Sequence, residues 1–90
     1  MSTETTVLTE GQKRMRVTFN PNQDEHVVAI KNAYANLWDE LETLRDVKLA
    51  TEGKDQAWKQ RTAREFSIAL ADTENACMYA VKGLTAHFQD

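Results

Sequence analysis

From Val27 onward the apolar and semi-apolar positions fall at Val27, Ile30, Tyr34, Leu37, Leu41 and Leu44, three and four residues apart with polar residues between them. That spacing holds one side of a helix apolar, the seam of an amphipathic or coiled-coil helix, and predicts a first helix over 22–52. Asn22 suits its N-cap because the side-chain oxygen accepts a first-turn N–H, and Glu25 three residues on completes a capping box. Pro21 then stands just outside the helix, where its missing N–H costs nothing and its ring keeps Asn20 extended. Glu52-Gly53 supplies the stop, since glycine readily takes the left-handed conformation of a C-terminal cap.

Asp55 is expected to cap a second helix over 55–88. On it Phe66, Leu70, Cys77, Val81, Leu84 and Phe88 make a bulky stripe, and Ala69, Thr73, Ala76, Ala80 and Gly83 a neighbouring stripe of small residues. Residues 1–18 read as a polar leader. The pattern as a whole predicts a single all-α domain over 1–90, a long antiparallel helical hairpin with a short N-terminal leader. At 1.5 Å per residue each helix is roughly 40 to 50 Å long, and a two-helix hairpin buries only one side of each. Trp38, Trp58, Phe66 and the alanine stripe are then left as apolar surface, which in a soluble protein marks a subunit interface. An obligate oligomer with a two-fold dimer as its smallest unit follows as an expectation.

Composition narrows the function. Ninety residues give a core too small to be more than marginally stable alone, and the single cysteine, Cys77, has no partner for a disulfide. A reducing intracellular compartment is the simpler reading. No apolar run approaches the roughly 20 residues that span a bilayer, and the start MSTETTVLTEGQ lacks the layout of a signal peptide. Fourteen acidic against eleven basic residues give a net charge of −3, the wrong sign for a binder of DNA or RNA polymers. A small anion in a local basic pocket stays open.

Catalytic chemistry is thin. His26 and His87 lie near opposite ends of the helical region, and neither C-x-x-C nor H-E-x-x-H occurs, so no metal site is expected. The acidic pairs Asp39-Glu40 and Asp72/Glu74 have the look of solvated helix faces, and the three glycines are too scattered for a phosphate loop. An enzyme is not expected, and no cofactor is implied. The cations are more suggestive: Lys13, Arg14 and Arg16 precede Phe19, Lys31 lies two turns into the first helix, and Arg61, Arg64 and Lys82 lie on the second. Lys31, flanked by Ile30 and Tyr34, suits the rim of an interface. Aromatic faces stack on nucleobases, arginine planes do so too, and both cations satisfy phosphates.

The segments TFNP and AIKNA, followed by RTAREFSIALADTENACMYAVKG, resemble the small phage family that sequesters the cyclic oligonucleotide messengers of bacterial CBASS defence, and the related hairpin domain of Thoeris-inhibiting sponges. The resemblance runs from about Arg16 to Thr85 and is most specific from Arg64 through Glu74 to MYAVKG. It implies an all-α protein of interlocked dimers that build a hexamer, working in the host cytoplasm. It implies too that cyclic dinucleotides such as cyclic GMP-AMP are bound between protomers without cleavage; some members hold cyclic trinucleotides at a separate site. Carried over by position, the base-stacking aromatic falls on Phe19 and the polar residue after it on Asn20, beside Pro21. The phosphate-binding lysine falls on Lys31, and the base-facing arginine on Arg64 with Arg61 close by. Relatives often carry tyrosine at Phe19 and tryptophan at Tyr79. The competing class is an adaptor, a helical-hairpin oligomer that docks on another protein, with Phe19 a packing staple and Lys31 a rim charge.

Overall fold

The computed structural model describes residues 7–21, 23–51 and 56–89. Three helices, α1 (Glu10–Arg14), α2 (Glu25–Ala50) and α3 (Gln56–Thr85), are followed by a closing 3-10 turn at Ala86–Gln89, and there is no strand among the described residues. At 26 and 30 residues, α2 and α3 are roughly 39 and 45 Å long, and they pack together as the expected helical hairpin. Asn22, Gly53 and Asp55, the expected caps, lie outside the described residues, as does the side chain of Phe88. Asp24 caps α2 instead, its carboxylate accepting the N–H of His26 at 2.8 Å. No helix among the described residues is long and apolar enough to cross a membrane.

The leader holds structure that the hydrophobic pattern did not reveal. Thr9 and Gln12 close a capping box around α1: the Thr9 hydroxyl accepts the Gln12 N–H at 3.1 Å and the Gln12 side chain accepts the Thr9 N–H at 2.8 Å. α1 lies against α2 at Gly11, whose N–H donates to Asp39 Oδ1 at 2.7 Å. A methyl group at Gly11 would sit 2.4 Å from the Ala35 carbonyl oxygen, so the approach is open to glycine alone. Asp39 is therefore an anchor for α1, where the sequence suggested a solvated charge.

The core is Met15 from the leader, Ala35 and Trp38 from α2, and Leu70 and Cys77 from α3, with Val17, Tyr34, Leu41 and Val81 packed around it. The inward face of α2 is Val27, Lys31, Ala35 and Trp38. It is turned by about one residue from the expected seam, and Leu37 and Leu44 are both 47% exposed. The cause is α1, which covers Trp38 with Met15 and with the Arg14 guanidinium, 5.3 Å from the ring centroid. Trp38 is thus buried, where the sequence suggested an exposed apolar patch, and its Nε1–H has no hydrogen-bond partner. On α3 the bulky stripe does turn inward at Leu70 and Cys77, and the small-residue stripe divides, with Thr73 buried and Ala76 and Gly83 exposed. The Cα envelope is only 12 Å along its shortest axis, so the hairpin is one helix thick and exposes Val47, Ile68, Met78 and Tyr79 besides the two leucines.

Candidate functional site

Three pieces of chain meet toward the open end of the hairpin: the end of α1 with the turn after it, the first half of α2, and the last turns of α3. Between them is a cleft of about 350 Å³, walled by Arg14, Arg16 and Phe19 on one side and by Glu74, Met78 and Lys82 of α3 on the other. Lys31 and Cys77 also line it. Its volume lies within the range usual for small-molecule sites.

The turn is built by paired backbone bonds. The Arg16 N–H donates to the Lys13 carbonyl and the Val17 N–H to the Gln12 carbonyl, both at 3.1 Å, which is how a helix end closes around a left-handed residue. That residue is Arg16, at φ 53°. Farther on, the Asn20 side chain clamps the approach to α2, donating to the Asp24 carbonyl at 3.0 Å and accepting the Asp24 N–H at 3.1 Å. Between these fixed points Phe19 projects with 52% of its surface exposed, and the Arg16 guanidinium lies over its ring, 4.5 Å from the centroid.

Lys31 is not a rim charge. It is buried beneath the turn, and its ammonium group donates to the carbonyls of Arg16, at 3.0 Å, and of Phe19. Nζ also lies 5.4 Å from the centroid of the Phe19 ring. Burial pushes the Lys31 pKa below its ordinary value; a charge on Cys77 opposes the shift and the nearby Arg16 charge adds to it. Burial likewise raises the Cys77 thiol, against the pull of Lys31. Cys77 is a free thiol in the floor of the cleft. Arg14 is committed elsewhere, to Glu10 at 3.3 Å and across to Glu74 of α3 at 3.1 Å.

Of the site residues carried over from the resemblance, the structure brings Phe19 and Lys31 into one site, with Arg14, Arg16 and Lys82 of the suggestive cations beside them. Asn20 and Pro21 do not line it: Asn20 shapes the turn from behind and Pro21 is exposed. Arg64 is exposed on α3, ten residues before Glu74 and so roughly 15 Å of helix away, and it does not line the cleft of its own chain. Arg16, one of several suggestive cations in the sequence, and Glu74, expected there as a solvated charge, are wall residues that sequence reasoning did not place in the site. Their signal was available only in part, as a cation three residues before the aromatic and an acid one turn before Met78.

Searches of curated proteins and of solved structures returned no match. The family model described as the Acb2/Tad1 hairpin domain matches residues 9–85. That span starts at the N-cap of α1 and stops at the last residue of α3, so it takes in the short helix as well as the long pair. With the matched span covering nearly the whole chain and every described wall of the cleft, the protein belongs to the Acb2/Tad1 hairpin-domain family.

Proposed function

We propose that this chain is a phage immune-evasion protein that binds and sequesters cyclic oligonucleotide messengers of bacterial CBASS defence without degrading them. Cyclic dinucleotides such as cyclic GMP-AMP are the foremost ligands in this reading, and the host cytoplasm is its place of action. The observation that carries it is the half-exposed Phe19 ring set in a cleft beside two cations, Arg16 and Lys31. Each ring that stacks on a base contributes roughly 1 to 3 kcal/mol. Phosphates then find positive charge within reach of the same turn. Family membership supports the same reading.

A cyclic dinucleotide has two bases and two phosphates, whereas one chain offers one such aromatic turn. A second copy related by a two-fold axis presents every residue again and completes the match. The apolar residues exposed on this thin hairpin favour that assembly, and interlocked dimers building a hexamer are the arrangement we propose. In it Arg64, remote from the cleft of its own chain, serves a neighbour's ligand.

The test is thermal melting with a panel of cyclic di- and trinucleotides, followed by recovery of the bound nucleotide after denaturation. A ligand at 100 times its dissociation constant raises stability by about 2.7 kcal/mol. A panel that leaves the melting curve unmoved favours the adaptor reading, to which the exposed apolar faces are equally suited. Linear products that accumulate with turnover exclude sequestration in favour of a nuclease.

A further inference from the structure

Arg16 stands where glycine is the usual residue. Its φ of 53° is the left-handed conformation that a Cβ disfavours, and the paired bonds from Arg16 and Val17 back to Lys13 and Gln12 hold it there. A side chain kept at such a position points to a use for that side chain. The guanidinium lines the cleft, is exposed, and lies over Phe19; among the described residues it makes no ion pair.

Of the other cations lining the cleft, Lys82 stands on the opposite wall, 5.2 Å from the centroid of the Tyr79 ring, and the two on the Phe19 side are committed. Arg14 bonds to Glu10 and Glu74. Lys31 spends two of its three N–H donors on the carbonyls of Arg16 and Phe19, from a buried position below the turn. We infer that Arg16 makes the direct phosphate contact to the bound cyclic nucleotide, and that Lys31 is a positioning residue that holds the Arg16 to Phe19 turn from below. This rests on the sequestration reading. A guanidinium presents two parallel N–H donors to a phosphate, in a geometry that a partly committed ammonium group does not offer. The same plane, lying over Phe19, extends the surface on which a base stacks.

The substitution Arg16→Gly separates this role from a structural one, because glycine removes the guanidinium and also suits the backbone. Calorimetry with cyclic GMP-AMP is expected to show affinity at least tenfold weaker than wild type, while the melting temperature of the free protein stays level or rises. Arg16→Lys, which keeps the charge and loses the planar fork, is expected to bind with intermediate affinity. The assignment is overturned if Arg16→Gly binds within twofold of wild type, or if its affinity and its melting temperature fall together. Wild-type protein that gives no heat and no melting shift with any member of the cyclic di- and trinucleotide panel is a different failure: the sequestration reading itself is then wrong, and the Arg16 contact falls with it.

Discussion

Placing a methyl group on Gly11 is the sharpest way to ask whether α1 is part of the working molecule. The new Cβ would lie 2.4 Å from the Ala35 carbonyl oxygen and 2.6 Å from Asp39 Oδ1, and the first of these is backbone inside a helix and cannot turn aside. α1 must therefore lift away from α2 by about an ångström to reach ordinary van der Waals separation. The lift breaks the 2.7 Å bond from Gly11 N–H to the Asp39 carboxylate, a charge-assisted contact whose loss costs about 1.5 to 3 kcal/mol. It also loosens Met15, which is buried in the core. Against this, alanine gains at most about 1 kcal/mol of helix propensity over glycine. With the loosened Met15 contacts added, the net is about 1 to 2 kcal/mol against docking, or roughly five- to thirtyfold in the docking equilibrium. Hydrogen exchange reads it directly: α1 amides in Gly11→Ala should lose protection by about that factor, while amides around Leu70 and Cys77 keep theirs. Asp39→Ala should reproduce most of the loss and add little in the Gly11→Ala background, because both act on one contact. Unchanged α1 protection in Gly11→Ala would refute the docking geometry.

Light scattering should find a mass well above the 10.3 kDa of one chain at micromolar concentration, and Ala76→Glu, on the exposed small-residue face, should lower it without unfolding the hairpin. Lys31→Ala should weaken cyclic GMP-AMP binding about tenfold or more by freeing the Phe19 turn, and Lys48→Ala, exposed near the far end of α2, should leave it unchanged in the same titration. The raised Cys77 thiol stays protonated in the folded protein, so its contribution to stability is present below the ordinary pKa of 9.0 and lost as pH climbs through the higher folded value; native Cys77 should react slowly with a disulfide reagent at pH 8 and fast in denaturant. Lys31 has the opposite sign, since its lowered pKa is a penalty relieved as pH rises toward 10.5; melting of Cys77→Ala should therefore strengthen over that alkaline range, and the added change Lys31→Met should abolish the trend.

The two long helices were legible because three-and-four spacing is a property of one helix by itself and needs no knowledge of its neighbours. Which side of α2 turned inward was not legible. Lys31 and Ala35 do not look like core residues, and they become core only because α1 and its turn lie over them. α1 itself is five residues long, too short to show a period, and its one sequence mark is the Thr9 to Gln12 capping box. At the site, Phe19 and Lys31 were identifiable as an aromatic and a cation of the right kinds. Arg16 was visible only as one of several cations before Phe19, because what sets it apart is a backbone angle that no side-chain pattern encodes. Arg64 was assigned by position along the chain, and its distance from the cleft is a tertiary fact.

Trp38 makes the molecule its own optical gauge. Its indole is buried with an N–H that has no partner, the condition under which tryptophan emits at the short-wavelength end of its range. Two of the groups around it, Met15 and the Arg14 guanidinium, belong to the segment that also forms a wall of the cleft. Water reaching that ring shifts its emission to the red, so the colour of its light follows the seating of α1 with no label attached. Trp58, half-buried at the other end of the hairpin, stands outside this coupling and supplies a built-in reference.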